Sequence, residues 1–367
     1  MRKGYDIHMR EKVIPKEELE KLFKSLEKRG YTIVAPVLKE GVILFEEVKG
    51  FSQVAKGIYE EQGKGYYRVG RSEGWFSYVH GPNSLKSFLH PPRTELLKLK
   101  PDLSQEILLE EKKYAFFGIR GCDLAAMGVL DNVFLKKNEH QDPHYECLRR
   151  EIFTVAFNCN QPGGTCFCTS MGTGPFVKDG ADLSLTELRE KFLLRAHSEK
   201  GLEILNSLEG SKPTEEDYRE EERLKEESIS KIARKVPTDG LPEKLLSKLE
   251  SPVWEEIARR CLACGSCTMV CPTCFCYEVV DEVSVDGSVS VRLRTWDVCF
   301  REGFSAIHGT PLRKSIASRY RQWLMHKFSY WVGQFGEFGC VGCGRCITWC
   351  PVGIDVTEEV ERLISNG

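Results

Sequence analysis

The sequence has little net charge and no long apolar run. Its 52 Lys and Arg residues nearly balance 54 Asp and Glu residues, which leaves a formal net charge of −2 over 367 residues. That balance excludes the strongly basic surface with which proteins bind nucleic acid. No apolar stretch approaches the roughly 20 residues of a membrane-spanning helix, and residues 1–6 are polar, unlike a signal peptide. We therefore expect a cytoplasmic protein with no membrane span and no nucleic-acid partner.

Motifs that bind organic cofactors are also absent. No Gly-x-Gly-x-x-Gly follows a strand-like segment, and Gly172-Thr-Gly174 lacks both the third glycine and the strand. The sequence contains neither a phosphate-binding P-loop nor the nucleophile elbow of hydrolases. These absences predict that the chain holds no flavin or nucleotide, and they leave no evident catalytic site on it.

Cysteine, by contrast, is abundant, with 16 residues. In a chain without an export signal, so many thiols indicate metal ligands rather than disulfides. Cys147 is an exception, because it stands in a polar stretch and is expected to be an ordinary thiol.

Two runs of cysteines share one pattern. Residues 261–272 and 340–351 each read C-x2-C-x2-C-x3-C-P, the ligand spacing of bacterial-type [4Fe–4S] clusters. Three closely spaced cysteines hold three corners of a cube, and in two-cluster ferredoxins the fourth ligand comes from the other run. Group 1 is therefore predicted to comprise Cys261, Cys264, Cys267 and Cys350, and group 2 to comprise Cys340, Cys343, Cys346 and Cys271. Two [4Fe–4S] clusters predict a protein that transfers electrons.

The segment between the two runs leaves this crossed ligation open. Residues 272–339 form a longer insertion than a minimal ferredoxin needs, and they include a predicted hairpin over 278–294 with its turn at Asp286-Gly287.

The alternative to clusters is a pair of tetrahedral zinc sites. Such sites use paired CxxC motifs and require neither the third close cysteine nor the following proline.

The N-terminal part predicts strands that alternate with helices. Helix patterns cover residues 15–29 and 124–134, and strand patterns cover residues 31–38, 41–48, 114–119 and 151–157. Such alternation indicates an α/β domain with a mixed sheet.

Four further cysteines follow the last two of these strands. Cys122 and Cys159 come directly after strand patterns, at the carboxyl ends where open α/β sheets bind their ligands. Cys122 also begins a predicted helix, which favours a thiolate. A Gly-rich loop then brings Cys166 and Cys168 toward the same edge. We predict that these four residues, group 3, hold a third [4Fe–4S] cluster; the alternative is that some are buried apolar thiols.

Three cysteines near the tandem runs have no assigned role. Cys274, Cys276 and Cys299 could exchange with Cys271, supply a further cluster with an added ligand such as His308, or simply pack. The sequence leaves these three alternatives open.

The predicted fold class is α+β with two domains. Residues 1–210 form an α/β domain with a mixed sheet and the third cluster site, and residues 211–242 form a charged helix and linker. Residues 243–367 form a mainly helical, dicluster ferredoxin-like domain with the inserted hairpin.

The order of these features resembles one family. The matching pieces are Gly118-Ile-Arg-Gly-Cys122-Asp123-Leu, Cys159 with Cys166-Phe-Cys168, Trp254 before Cys261-Leu-Ala-Cys264-Gly, Cys271-Pro-Thr-Cys274-Phe-Cys276-Tyr-Glu, Trp296-Asp-Val-Cys299 and Cys340-Val-Gly-Cys343-Gly-Arg-Cys346. Together they are similar to the beta subunit of cytoplasmic sulfhydrogenases (soluble NiFe hydrogenases) and to the electron-transfer subunit of anaerobic sulfite reductase.

The resemblance implies a component of an anaerobic oxidoreductase complex. In that family the subunit relays electrons between a flavoprotein with FAD and a [2Fe–2S] cluster, which reacts with NAD(P)H, and a catalytic module. The module is a NiFe hydrogenase in one branch and a sirohaem sulfite reductase in the other. A different hypothesis is a stand-alone enzyme that binds its substrate at a cluster near Cys122 and Cys159. A zinc-stabilised scaffold is the third hypothesis, and it predicts a colourless protein.

Overall fold

The computed structural model describes residues 10–102, 104–136 and 140–365. The polar start on which we based the expectation of no signal peptide lies outside these residues. No helix in the described ranges is long and apolar enough to cross a membrane.

Sixteen strands are present in the described residues. They are β1 (Glu11–Pro15), β2 (Thr32–Lys39), β3 (Val42–Val48), β4 (Ile58–Gly63), β5 (Tyr66–Arg71), β6 (Phe76–Ser77), β7 (Arg93–Leu99), β8 (Gln105–Ile107), β9 (Tyr114–Ile119), β10 (Phe153–Phe157), β11 (Leu183–Glu187), β12 (Lys191–Ala196), β13 (Tyr277–Val283), β14 (Ser290–Trp296), β15 (Ala306–Ile307) and β16 (Thr310–Pro311).

Fourteen α-helices accompany them in the same part of the chain. They are α1 (Glu18–Lys28), α2 (Lys86–Leu89), α3 (Gly121–Asp131), α4 (Pro143–Arg150), α5 (Cys168–Met171), α6 (Glu199–Ser207), α7 (Glu215–Lys231), α8 (Leu241–Leu246), α9 (Val253–Arg260), α10 (Ser266–Met269), α11 (Ile316–Met325), α12 (Trp331–Phe335), α13 (Arg345–Thr348) and α14 (Val356–Ser365). The predicted α+β class is confirmed: a sheet-rich N-terminal part precedes a helical region that carries the tandem cysteine runs.

A seven-stranded mixed sheet forms the centre of the N-terminal part. Its order is β1-β12-β11-β10-β9-β2-β3, with β2, β9, β10 and β11 parallel to one another. All six residues of β9 are buried, as expected for a strand covered on both faces. Phe117 packs in the core that α1 covers, whereas its neighbour Phe116 packs with α3 on the opposite face. The continuous apolar runs of β9 and β10 therefore place them in the middle of the sheet.

The predicted hairpin forms and joins the two parts of the chain. β13 and β14 pair antiparallel around Asp286-Gly287, and β14 then pairs with β7, more than 180 residues earlier in sequence. This sheet continues to β8. Trp331 and Cys343 from the C-terminal part also lie in the core beneath β9. The two parts thus share a sheet and a core, and the boundaries proposed at residues 210 and 242 stay a prediction.

A fully buried ion pair crosses the same junction. Arg345 Nη2 donates to Asp123 Oδ1 at 2.8 Å, and both side chains have no exposed surface. Asp123 also accepts from the backbone N–H of Arg120 at 3.0 Å, which caps α3. Arg345 donates in addition to the carbonyl of Gly81 at 3.0 Å. These bonds hold the second cysteine run against the edge of the central sheet.

We predict that Asp123→Ala is strongly destabilising. Removing one partner of a buried pair leaves the Arg345 charge uncompensated, at a cost of about 3–5 kcal/mol. The matched control is Asp281→Ala, because Asp281 pairs with Arg292 at 2.8 Å on an exposed surface, where such pairs contribute about 1 kcal/mol or less. Thermal unfolding of both variants should show a clearly larger loss for Asp123→Ala. Equal losses would mean that the buried pair does not join the two parts.

Candidate iron–sulfur centres

The four cysteines of group 1 line one cavity. Cys261, Cys264, Cys267 and Cys350 all face it, and the apolar side chains of Phe300, Tyr320, Trp323, Ile354 and Val356 complete its wall. The structure therefore brings the crossing cysteine of the second run to the three cysteines of the first. The four thiols are thus close together, and their ligation of one cluster stays a prediction.

The backbone of the loops around group 1 turns tightly enough to surround a cubane cluster. Ala263 and Gly265 have positive φ angles of 51° and 75°, which turns the chain tightly. The N–H of Ala263 donates to Cys261 Sγ at 3.4 Å, and the N–H of Ile354 donates to Cys350 Sγ at 3.3 Å. Backbone N–H groups aimed at cysteine sulfurs stabilise negative charge there, and such bonds tune cluster potentials.

Group 2 repeats this arrangement with Cys271 as the crossing cysteine. Burial raises the pKa of Cys340 and Cys346, and the nearby thiol of Cys271 raises both further. The N–H of Gly342 donates to Cys340 Sγ at 3.4 Å, and Gly342 has a φ of 66°. The structure thus places Cys271 beside the three cysteines of the second run.

Group 3 lies at the carboxyl edge of the central sheet. Because β9 and β10 are adjacent and parallel, Cys122 and Cys159 leave the sheet side by side. Cys166 and Cys168 return to them in the following loop, and all four thiols are buried. Ser228 of α7, a helix that the sequence analysis left as a charged linker element, donates a hydrogen bond to the carbonyl of Cys159. α7 therefore packs against the protein through a few buried residues, one of which contacts the backbone of group 3.

Groups 2 and 3 are in direct backbone contact. The N–H of Phe167 donates to the carbonyl of Gly342 at 2.8 Å, and Cys166 Sγ lies 3.7 Å from the carbonyl oxygen of Cys343. A Cβ added at Gly342 would approach the backbone of Cys168 to 2.7 Å. Only glycine permits this approach, since any side chain there would collide with the group 3 loop.

Group 1 adjoins group 2 on the other side. Cys346 belongs to group 2, yet it also lines the cavity of group 1. The Cys267 thiol of group 1 contributes to the raised pKa of Cys346, after burial and the group 2 thiols. The three groups therefore follow one another in the order 1, 2, 3, with group 2 in the middle.

Buried cations surround the middle group. Arg345 lies close to Cys343 of group 2 and Cys122 of group 3; burial opposes its charge, but Asp123 and these thiols raise its pKa. Lys327 is 3% exposed and donates to Thr273 Oγ1 at 2.6 Å. Burial opposes its charge as well, and the thiols of Cys271 and Cys274 raise its pKa. Burying cations among thiols is favourable only where negative charge compensates them.

Burial disfavours the ionised form of most thiols in the three groups; Cys271 is an exception, because the hydrogen bond with Cys274 lowers its pKa. Burial is the leading cause that raises the pKa of Cys122, Cys166, Cys267 and Cys346 well above the ordinary thiol value. Protein groups alone would leave these thiols neutral, whereas bound iron deprotonates them. Buried thiols, N–H donors and nearby cations together fit anionic iron–sulfur clusters. Within the described ranges, no group of three or more His, Cys, Asp or Glu side chains could hold a single metal ion.

The remaining cysteines divide into three cases. Cys274 contacts Cys271 through a thiol hydrogen bond, whereas Cys276 and Cys299 contact each other. Cys147 is buried in α4, and its expected role as an ordinary thiol stays a prediction. His308 is exposed in the short turn between β15 and β16. The cleft that Cys276 and Cys299 line contains His326, and the suggestion of His308 as an extra ligand stays untested.

The chain is similar to a known domain family and to a known protein. Residues 260–354 match a family model described as a 4Fe-4S dicluster domain. The chain is 34% identical over 281 residues to "Sulfhydrogenase 2 subunit beta" of Pyrococcus furiosus, an alignment that covers 76% of this chain and 82% of that protein. The chain belongs to the sulfhydrogenase beta-subunit family. No solved structure gave a match.

These matches confirm the predicted family and the dicluster domain. The assignment of individual ligands and the third cluster stay predictions. Lys86 Nζ also lies beside the first run, where it donates to the carbonyls of Thr268 and Met269 at 3.3 and 3.1 Å. Sequence reasoning missed Arg345, Lys86 and Lys327 as part of the site. Arg345 stands inside the run, between Cys343 and Cys346, and this position could have indicated its role; the two lysines carry no such signal.

We predict that Gly342→Ala separates groups 2 and 3. A left-handed φ costs an alanine about 1–2 kcal/mol, and the collision with the Cys168 backbone adds to that cost. Gly287→Ala is the matched control, because Gly287 has a similar φ of 71° and nothing within 4 Å of an added Cβ. Thermal unfolding and iron content measured on both variants should show a greater loss for Gly342→Ala. Equal effects would argue against the close approach of the two loops.

Proposed function

We propose that this protein is the electron-relay component of a multi-subunit, nicotinamide-linked oxidoreductase, with three [4Fe–4S] clusters held by groups 1, 2 and 3. One observation carries the proposal. Three groups of four cysteines touch in series, so electrons would cross short distances from one group to the next. The dicluster domain and the sulfhydrogenase relative support the same function.

Group 1 offers a contact for one partner. Cys264 is exposed, and Leu262, Met269 and Val352 beside it expose 63%, 42% and 40% of their surface. Apolar side chains that rim a redox centre suit the docking of another subunit. We assign this face to electron exchange with a partner protein.

Group 3 offers a second contact on the far side. Gly121 and Thr173 flank Cys122 and the group 3 loop, and both line a surface cleft. Thr173 Oγ1 also donates to the carbonyl of Val341 at 2.6 Å, which links that cleft to group 2. A relay needs two ends, and we assign one to the group 1 face and the other to this cleft.

The family resemblance supports two proposed partners. One is a flavoprotein subunit with FAD and a [2Fe–2S] cluster that reacts with NAD(P)H. The other is a catalytic module, which we assign to a NiFe hydrogenase or sulfur reductase because the relative is named a sulfhydrogenase. A sirohaem sulfite reductase as the second partner would place the protein in the other branch.

The iron and acid-labile sulfide content of anaerobically purified chain tests the cluster count. With four irons per cube, we expect about 12 irons and 12 sulfides per chain. Cys166→Ala should lower both to about 8, because it removes one group 3 ligand. Cys147→Ala is the control and should keep the full count. Unchanged iron in Cys166→Ala would show that group 3 holds no cluster. Zinc without acid-labile sulfide would refute the whole proposal.

Purification of the tagged chain from its native cells tests the relay. We expect a flavoprotein and a hydrogenase or reductase subunit to copurify, and NAD(P)H to bleach the cluster absorbance of the complex. Leu262→Asp should slow this reduction at least tenfold by disturbing the group 1 face, while Ile229→Asp, an exposed aliphatic on α7, should not. Turnover by the isolated chain without partners would favour a stand-alone enzyme instead.

A further inference from the structure

Lys327 is a buried lysine that binds both of the chain segments that supply group 2. It lies on the short helical segment between α11 and α12, and only 3% of its surface is exposed. Its Nζ donates to Thr273 Oγ1 at 2.6 Å and to the carbonyl of Gly339 at 3.1 Å. Thr273 closely follows Cys271, and Gly339 directly precedes Cys340. The lysine therefore lies where the first and second cysteine runs meet.

Three acceptors surround the Lys327 nitrogen. Besides Thr273 and Gly339, the sulfur of Cys274 accepts a hydrogen bond from it. An ammonium has three N–H donors, and all three find an acceptor here. Burial opposes the charge, but the thiols of Cys271 and Cys274 raise the pKa of Lys327. The side chain therefore carries a positive charge inside the protein.

Two short routes connect this charge to the crossing cysteine of group 2. Thr273 Oγ1, which accepts from Lys327, lies 3.2 Å from Cys271 Sγ. The Cys274 thiol, which also accepts from Lys327, is hydrogen-bonded to Cys271 and lowers the pKa of Cys271. Thr273 has no exposed surface, so water does not separate the ammonium from Cys271 on that side.

The other buried cations beside the cysteine runs have a carboxylate close by. Arg345 pairs with Asp123 at 2.8 Å. Arg319, which lies near group 1, is 3.9 Å from Glu302. The groups that raise the pKa of Lys327 most are thiols instead. The charge of Lys327 therefore acts on group 2 without a carboxylate partner to offset it.

Burial alone would make group 2 hard to reduce. Burial is the leading cause that raises the pKa of Cys340, Cys343 and Cys346, so this site disfavours negative charge. Reduction adds one negative charge to a cluster, which a poorly solvated site also disfavours. A fixed positive charge nearby stabilises the reduced form and raises the reduction potential. A middle centre that accepted electrons much less readily than its neighbours would interrupt the relay.

We propose that Lys327 raises the reduction potential of group 2 and so offsets the burial of this middle centre, which keeps electrons passing between groups 1 and 3. The inference rests on the proposed function, because it assumes a cluster in group 2. Lys327 is a positioning residue, since it acts on the centre through Thr273, Cys274 and its own charge. Reduction of group 2 adds one electron, supplied by the proposed flavoprotein partner, and it breaks no bond.

A potentiometric titration of the anaerobically purified chain, followed by electron paramagnetic resonance, tests this role. At the potential that half-reduces group 2 in the wild type, Lys327→Met should lower the ratio of reduced to oxidised group 2 at least tenfold. That change corresponds to 59 mV for one electron. Cys340→Ser identifies the group 2 signal, because it alters a predicted ligand of that group. Lys327→Arg keeps the charge and should stay within threefold of the wild type.

The matched control is Lys112→Met. Lys112 pairs with Glu47 and Glu110 on an exposed surface, and its loss should leave every potential unchanged. Unshifted group 2 in Lys327→Met with the full iron content would overturn the inference, as would an equal shift of all three signals.

Iron content separates the remaining outcomes. If Lys327→Met loses iron, Lys327→Gln takes its place, because glutamine keeps a donor for Thr273 and Gly339 but carries no charge. The same tenfold fall is expected. Iron loss in both variants would make Lys327 a purely structural residue and would also contradict the inference. A wild-type chain without iron and sulfide would instead refute the proposed function.

Discussion

The backbone contact between the second cysteine run and the group 3 loop is the constraint on which the site depends. Gly342 allows the two loops to approach closely enough for the Phe167 N–H to reach the Gly342 carbonyl. Without that contact, the ferredoxin-like run and the central sheet would form separate centres. The contact places group 2 directly beside group 3, and the proposed serial arrangement of redox centres depends on it.

Electrostatics explains why buried cations lie beside the cysteine groups. Arg345 is fully buried, and the carboxylate of Asp123 accepts a hydrogen bond from it. Lys86 and Lys327 are buried beside thiols, with their remaining hydrogen bonds given to carbonyl and hydroxyl oxygens. Buried ammonium groups are costly when the neighbouring thiols are neutral, and they become favourable when those thiols are anionic metal ligands. The cations and the clusters thus stabilise each other.

Local pattern was enough to predict several parts of the fold. The apolar runs of β9 and β10 predicted two buried strands, and strand polarity then placed Cys122 and Cys159 at one edge. The Asp286-Gly287 turn predicted the hairpin. The pairing of β14 with β7 was not predictable in this way, because it joins segments far apart in sequence. The roles of Lys86 and Lys327 depend on neighbours that are distant in sequence. The spacing of residues in the sequence therefore could not predict these roles.

An anomalous diffraction map collected at the iron absorption edge, from crystals of anaerobically prepared protein, tests the central claim most directly. We predict three iron peaks in a row, with the peak beside Cys340, Cys343 and Cys346 in the middle. Two peaks with none at Cys122 and Cys159, or peaks that appear only at the zinc edge, would contradict this account.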